Sequence, residues 1–299
     1  ASQIIEIIPV FTAQDFETMN DNLFGNFELQ NDIDFSSYTG LTQAFIQNVF
    51  IGNLSGAGYT LKNLNIDASG QSNLSLFYLI GGGVIENLTI SGFNLTGSSQ
   101  ISIFGNIVDA SEPVSFRNIL VTNSRIYANT NTQDYGSGLL SIVARAEVTI
   151  LGVQVNAVIT NGQSGQWNGG FIAYVRSDDG GSISDASTLI DISNSTFSGV
   201  IVSGGDNSSG FIGGIWDSTI SVTGENITNI GQVSSTGAAG HIIGRVKDVL
   251  PAYLDITNIS VSSSSNIPLV GQSIAGVMID PTGSQTSVSG GSIHFVPAA

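Results

Sequence analysis

The side chains that could support catalysis are few in this sequence, and most of them stand apart from one another. Arg176 is followed by Asp178, Asp179 and Asp185, and a basic side chain beside carboxylates is what a calcium-dependent polysaccharide lyase requires. The run from Asp178 into Gly180 and Gly181 also has the composition of a turn that carries solvated charges. We expect the turn and no lyase site.

Two further carboxylates and the two histidines complete the catalytic candidates. Strand alternation would place Asp32 and Asp34 on one face, and a glycoside hydrolase needs two carboxylates about 5 to 10 Å apart. His241 and His294 are isolated, and no Ser-His-Asp signature, phosphate loop or metal-ligand cluster is recognisable. We therefore predict no catalytic, cofactor or metal site and a protein that is not an enzyme.

Four aromatic residues offer a different chemistry, because exposed rings can stack on sugars. They are Tyr135, Trp167, Tyr174 and Trp216. A carbohydrate-binding or adhesive module is the first alternative to a purely structural role. A polysaccharide lyase or hydrolase is the second alternative.

The composition restricts both the fold and the partners. Only 10% of the 299 residues are charged, against about a quarter in ordinary soluble domains. The residues that usually fill exposed helix faces are scarce, since Glu and Lys together number 9 (7 and 2), so a mainly helical protein is excluded. The formal charge of −16 with 7 basic residues does not suit a nucleic-acid binder or an anionic membrane surface.

Cysteine usage and hydropathy restrict the fold and the location of the protein only a little. The chain has no cysteine, which excludes disulfides and thiolate chemistry without arguing against export, since a chain of this length can bury a core without them. No apolar run reaches the roughly 18 residues of a transmembrane helix.

Two motifs alternate along the chain. The first is an apolar cluster beside glycine, whose second residues recur at intervals of 27, 36, 32, 40, 30 and 36: Phe77, Phe104, Leu140, Ile172, Ile212, Ile242 and Met278. The second has an Asn, or once a Gly, between apolar positions: Asn63, Asn87, Asn118, Gly152, Asn194, Asn229 and Asn258. His241 falls where other copies of the first motif carry Phe171 and Phe211.

This alternation predicts a β-solenoid. Residues within each motif follow the period of two that is typical of strands, and Gly-, Ser- and Asn-rich stretches between motifs indicate turns. A propeller needs about four strands per repeat, whereas each repeat here offers two or three. We predict an all-β, parallel β-helix of seven to eight coils, with right-handed winding as the expected hand.

The repeated Asn predicts a corner. Asn and Gly tolerate the left-handed conformation that a tight corner requires, and stacked Asn side chains can hydrogen-bond from coil to coil. Eight Asn-x-Ser/Thr sequons overlap this pattern in part. Those nearer turns are the predicted glycosylation sites: Asn53, Asn73, Asn94, Asn207 and Asn226.

The amino-terminal region differs from the repeats. Residues 1–11 read as an apolar strand, and residues 12–22 as a capping helix with Thr12 as N-cap and Asp15 completing a capping box. Residues 26–299 form the stacked coils of a single domain. The first strand has no obvious partner, and the end near Ser292 to Val296 has no cover, so head-to-tail assembly into filaments is one prediction. A monomer whose first strand folds back on its own first coil is the alternative.

The order of motifs after the helix resembles the start of GLUG-repeat proteins. The residues that carry the resemblance are Asn31 to Asp34, then Phe50-x-Gly52-x-Leu54-Ser55-Gly56-x-Gly58-Tyr59-Thr60-Leu61, and the cluster at Gly210 to Gly214. These proteins are extracellular or cell-surface β-helices, in which a similar Asp-Ile-Asp has no enzymatic role. The resemblance implies an extracellular or cell-surface β-helix. The repetitive core, the lack of a catalytic constellation and the hydroxyl- and amide-rich composition predict a secreted structural or surface-coat protein with no cofactor.

Overall fold

A computed structural model describes residues 6–128, 135–162, 167–176, 187–205, 207–216, 220–247, 253–261, 267–273, 286–288 and 291–297. For 247, 272–273, 286–288 and 291–297 it describes the backbone alone. The chain is a stack of short strands with one short α-helix, α1 (Ala13–Glu17), which continues into a 3-10 turn at Thr18–Asp21. No helix within these ranges is long and apolar enough to cross a membrane.

The strands of the amino-terminal half are β1 (Ile7–Val10), β2 (Asn26–Leu29), β3 (Ile33–Asp34), β4 (Ile46–Phe50), β5 (Asn53–Ser55), β6 (Thr60–Lys62), β7 (Asn65–Asp67), β8 (Phe77–Ile80), β9 (Gly83–Ser91), β10 (Asn94–Gly97), β11 (Ile101–Ser102), β12 (Gly105–Val108), β13 (Val114–Ala128), β14 (Tyr135–Ser137) and β15 (Leu140–Ala144). Those of the carboxy-terminal half are β16 (Glu147–Leu151), β17 (Gln154–Asn161), β18 (Trp167–Gly169), β19 (Ile172–Arg176), β20 (Thr188–Ser193), β21 (Thr196–Phe197), β22 (Val200–Ser203), β23 (Asn207–Ser209), β24 (Ile212–Trp216), β25 (Ile220–Glu225), β26 (Thr228–Asn229), β27 (Gln232–Ser235), β28 (Ala238–Gly240), β29 (Ile243–Lys247), β30 (Tyr253–Val261), β31 (Val270–Ser273), β32 (Thr286–Val288) and β33 (Gly291–Pro297).

These strands form three sheets that wrap one continuous core. Sheet 1 has 20 strands, sheet 2 has five (β11, β14, β18, β23 and β28), and sheet 3 has eight (β4, β8, β12, β15, β19, β24, β29 and β31). One turn runs through β16 and β17 of sheet 1, β18 of sheet 2 and β19 of sheet 3, after which β20 pairs with β16. The predicted all-β parallel solenoid is confirmed. Sheet 3 contributes one strand to each turn, and its eight strands pair in chain order.

Equivalent core residues of successive turns lie directly opposite one another. Leu140 opposes Ile172, which opposes Ile212, as the repeat intervals predicted. The next partner of Ile212 is Ile243 rather than Ile242, and the column continues to Val270. Toward the amino terminus the alignment is also one residue off, since Leu140 opposes Gly105 and not Phe104. Met278 lies outside the described residues.

This shift changes the interpretation of His241. The stacked rings of Phe171 and Phe211, with centroids 4.6 Å apart, are followed by Ile242 in the next turn, and His241 aligns with Gly210. The prediction that His241 replaces these phenylalanines was therefore wrong by one residue. His241 is nonetheless buried, and Asn229 Nδ2 donates to its carbonyl oxygen at 2.8 Å.

The amino-terminal cap is confirmed, in a shorter form than predicted. Thr12 is the N-cap of α1: its side chain accepts from the Asp15 N–H at 3.1 Å, and the Asp15 carboxylate accepts from the Thr12 N–H at 2.9 Å. The helix buries Phe16 against the rings of Phe35 and Phe45. Apolar contacts of this kind close the open end of the core.

Both ends of the stack differ from the strand-exchange prediction. β1 pairs in parallel with β2 of the same chain, so the first strand is the first rung of its own solenoid. At the other end, β32 pairs antiparallel with β33 and lies along its edge. The expectation that the first strand has no partner in its own chain is therefore wrong, and β33 is not the outermost strand at the other end. Assembly with a neighbouring chain stays a prediction.

We expect Ile212→Asp to destabilise the protein by about 3–5 kcal/mol, because it buries an unpaired charge between two turns. Ile212 is fully buried, whereas Ile230 is 59% exposed and supplies the matched control Ile230→Asp. Urea denaturation followed by circular dichroism measures both variants. Equal midpoints for the Ile212 variant and the parent would show that the register is wrong.

Candidate functional site

The carboxylates proposed for a hydrolase bind the next turn of the solenoid instead. Asp32 accepts from the Thr60 N–H at 3.0 Å and lies 3.7 Å from Lys62. Asp34 accepts from the Ser36 N–H at 2.9 Å and from the Asn63 amide at 3.1 Å. The Ser36 N–H, followed by the Asn63 amide, lowers the pKa of Asp34 below its usual value. A general acid needs a raised pKa, so this geometry supports a structural role for the pair.

Three other candidate carboxylates, Asp178, Asp179 and Asp185, lie outside the described residues. The backbone of His294 lies opposite Asp255 in β33, and its side chain is not described. In the described part of the chain, no group of three or more metal-ligating side chains comes together.

The predicted asparagine ladder exists and follows one corner of the solenoid. Asn87, Asn118, Gly152, Asn194, Asn226 and Asn258 are in register and all have positive φ, between 51° and 67°. The Asn118 amide donates to Asn87 Oδ1 at 3.1 Å, and the Asn226 amide donates to Asn194 Oδ1 at 3.0 Å. Asn258 donates in turn to Asn226.

Two members of the predicted ladder belong elsewhere. Asn63 has a φ of 62° but lies at a second corner, whose next residues are Gly92 and Asn123. Asn229 is wrong as a ladder residue: it opposes Phe197 in the core, is fully buried and hydrogen-bonds to His241. Asn226 takes the corner place instead.

The glycosylation candidates divide by their surroundings. Asn207 is 2% exposed within sheet 2, which leaves no room for a glycan, so this prediction is corrected. Asn53 and Asn94 are exposed, Asn73 is partly buried at a turn with a φ of 60°, and Asn226 is partly buried in the ladder. These four stay predicted sites.

The four aromatic residues proposed as stacking platforms meet in one cluster, which strands of sheets 2 and 3 form and which is separate from the main core. The ring of Tyr174 stacks on Tyr135 and on Trp167, with centroids 5.4 and 5.3 Å apart, and Trp216 meets Trp167 edge-on at 5.8 Å. Tyr135, Trp167 and Tyr174 are at most 8% exposed. Trp216 is partly buried and packs against them. The cluster therefore has three buried rings and one partly exposed ring, that of Trp216.

A glycine makes room for this arrangement. Trp167 lies over Gly214, where an added Cβ would come within 1.7 Å of the indole ring. Gly214 is the register partner of Tyr174 in the next turn. A side chain at residue 214 would displace the indole and separate Trp167 from Tyr174.

Two arginines border the aromatic cluster. Arg145 binds the carboxylate of Asp109 through two nitrogens, and its Nη2 lies 2.5 Å from Oδ2. Arg176 lies in register between Ala144 and Trp216. Its positive charge helps to lower the pKa of Asp109 and opposes the rise in the pKa of Tyr135, which burial causes. Arg176 therefore lies near both the ion pair and the phenol.

Part of this cluster was detectable in the sequence. Tyr135 and Trp167 each stand four residues before an apolar cluster, at Leu139 and Phe171, and this shared position places them opposite one another. The pair Asp109–Arg145 was missed, although each residue directly follows a register partner, Val108 and Ala144. In both cases, alignment of the repeats is the signal that can identify the contact.

No protein-family profile matches this chain. A stretch of 96 residues is 31% identical to halomucin of Haloquadratum walsbyi, which covers 30% of this chain and 1% of that protein. This chain thus corresponds to a very small part of the curated relative that it matches. A crystal structure from Bacteroides ovatus, described as a proposed immunoglobulin A1 protease, superposes with a TM-score of 0.64 at 16% identity. The match covers 99% of this chain and 85% of the other, and it supports the fold alone.

Replacement of Asn194 tests the corner. Asn194→Ala should cost about 1–2 kcal/mol of unfolding free energy, because a Cβ without a compensating side-chain hydrogen bond is unfavourable in the left-handed region. Asn194→Gly should cost less, since Gly152 occupies the equivalent place in the previous turn. Denaturant midpoints of the two variants decide the matter, and an alanine variant as stable as the glycine variant would contradict the prediction.

The Asp109–Arg145 pair predicts a specific acid sensitivity. The hydrogen bonds from Arg145 hold the pKa of Asp109 below its usual 3.8, so ionised Asp109 stabilises the fold above that pH. The contribution is lost as the pH falls through the lower pKa of the folded state. The Asp109 side chain is 63% exposed, and solvent screening keeps the effect small.

We therefore expect Asp109→Asn to lower the melting temperature at neutral pH, and the gap to the parent to close in strong acid. The exposed Asp67, for which no side-chain hydrogen bond is found in the described structure, gives the control Asp67→Asn. A gap that is constant with pH would argue against the assigned pair.

Proposed function

We propose that this chain is a secreted, non-enzymatic β-solenoid that acts as a structural or surface-coat element. The observation that carries the proposal is the single continuous stack, in which one apolar core runs from the α1 cap through the successive turns. A chain built in this way is a rigid extended scaffold, because each turn is held by its neighbours on both sides.

Two similarities support this proposal. The solved structure from Bacteroides ovatus has the same architecture over 99% of the chain, and the local match to halomucin is to a far longer protein. A surface location, export and the kinship to GLUG-repeat proteins stay predictions. So does N-glycosylation, for which Asn53, Asn73, Asn94 and Asn226 are the remaining candidates.

Protease activity is the competing proposal, because the structural neighbour is described as a proposed protease. His241, one of the two histidines, is 1% exposed and packs against Asn229. A base that is closed to substrate cannot activate a nucleophile for it. We expect purified protein to leave immunoglobulin A1 intact, and time-dependent cleavage would contradict the non-enzymatic role.

Immunogold labelling of intact source cells tests the surface location. Labels that react with lysine amines would mark this protein poorly, because it has only two lysines. We expect label on unpermeabilised cells and, in peptides from the native protein, glycans confined to Asn53, Asn73, Asn94 and Asn226. Label that requires permeabilisation would contradict the proposed location, and a glycan on Asn207 would contradict the fold around that residue.

Self-association stays a prediction, and exposed apolar residues at the amino-terminal end now support it. Ile7, Phe11 and Phe24 at the amino-terminal end are 57%, 51% and 72% exposed. They lie at the end whose outermost rung is β1, and an exposed apolar patch beside a strand edge favours contact with another chain. Light scattering that stays at the monomer mass at high concentration would contradict this prediction.

A further inference from the structure

We propose that the aromatic cluster and Arg176 bind the carboxylate of a uronate residue in an acidic polysaccharide. This inference goes beyond the proposed structural role and does not depend on where the protein is located. It names the guanidinium of Arg176 as the anion ligand and the partly open ring of Trp216 as the surface for the sugar.

The first argument is a buried hydrogen-bond donor that has no partner. The Nε atom of Arg176 is buried and has no hydrogen-bond partner. A buried donor of a charged group costs free energy unless it is paired. An arginine fork matches a carboxylate in geometry, so a carboxylate-bearing ligand would satisfy the group that the protein leaves open.

The second argument is that the nearby carboxylate is already engaged. Asp109 lies within the electrostatic reach of Arg176, but its two oxygens accept from Nε and Nη2 of Arg145. The ion pair with Arg145, on the turn between them, therefore fixes Asp109 two turns away from Arg176. An anion from outside does not have to displace it to reach Arg176.

The third argument is the aromatic floor. Trp216 is the direct register partner of Arg176, and it is held by Trp167 and Tyr174 at centroid distances of 5.8 and 6.3 Å. Binding sites for small ligands combine an apolar floor with a few well-placed polar groups. A flat ring beside a guanidinium gives a pyranose a stacking surface and gives its carboxylate a partner.

The fourth argument is charge. The chain carries a formal −16, yet Arg145, Arg176, Arg245 and Lys247, four of its seven basic residues, lie on sheet 3 or at its edge. Arg245 is partly buried two turns beyond Tyr174, opposite Gly214 of the turn between them. An acidic polymer would be repelled by most of this molecule and attracted at this face.

Tryptophan fluorescence gives a local readout, because Trp167 and Trp216 are the two tryptophans of the chain and both lie in the cluster. The full chain would be titrated with oligogalacturonate, with its methyl ester as the neutral control and a sulfated oligosaccharide as the other anion. We expect saturable binding of oligogalacturonate that weakens as salt is raised, and no comparable binding of the methyl ester.

Matched variants assign the binding to Arg176. Arg176→Gln should weaken binding by about tenfold or more, and Arg176→Lys by less, because it keeps the charge and loses the fork. Arg117→Gln is the control, since Arg117 is exposed on sheet 1 and donates to Ser115. Melting curves confirm that each variant folds, and Arg245→Gln, expected to weaken binding a few-fold, replaces any Arg176 variant that does not.

Three results would overturn the inference. They are no binding of oligogalacturonate by the parent, equal binding of the methyl ester, and unchanged affinity in a folded Arg176→Gln variant. Binding of the sulfated ligand alone would also overturn the assignment to a uronate.

Discussion

Backbone hydrogen bonding between successive turns is the interaction on which the rest of this structure depends. Parallel pairing places one residue of each turn directly opposite its equivalent in the next, so the side chains form columns. Columns that point inward are mostly apolar, as from Leu140 to Val270, and a polar member such as Asn229 is hydrogen-bonded there. A column at a corner must tolerate the left-handed conformation, which explains why Asn, and once Gly, recurs there.

The columns also determine what could be predicted from the sequence. The fold class, the Thr12 cap and five of the seven ladder positions followed from local chemistry: strand period, helix capping and the preference of Asn for positive φ. The exact register did not follow, because loops of different length separate the motifs. Near the carboxy terminus the motif matched Asn229, although the strand Ile220–Glu225 places Asn226 at the corner. A slip of one residue also turned His241 into an apparent equivalent of Phe211.

The candidate site shows the same limit more clearly. Tyr135, Trp167, Tyr174 and Trp216 were recognised as aromatic residues that could bind sugars, but their mutual contacts depend on register between turns. Burial could not be predicted from residue type, and it changes the chemistry. Three of the rings are buried, whereas the side chains of Trp216 and Arg176 are partly exposed. Outward columns are free to vary because they do not fill the core, so a solenoid can acquire a site there without loss of its stack.

Because the chain has no cysteine, engineered pairs can measure the register directly. Leu189 and Ser221 are register partners on β20 and β25, and neither is fully buried, whereas Leu189 and Thr223 are offset by two residues. Adjacent strands lie about 4.8 Å apart, and the offset pair about 8 Å, beyond the reach of a disulfide. Under mild oxidation, Leu189→Cys with Ser221→Cys should close an intramolecular disulfide, detected by mass spectrometry, and Leu189→Cys with Thr223→Cys should not. Faster closure of the offset pair, or closure of neither, would contradict the stacked register.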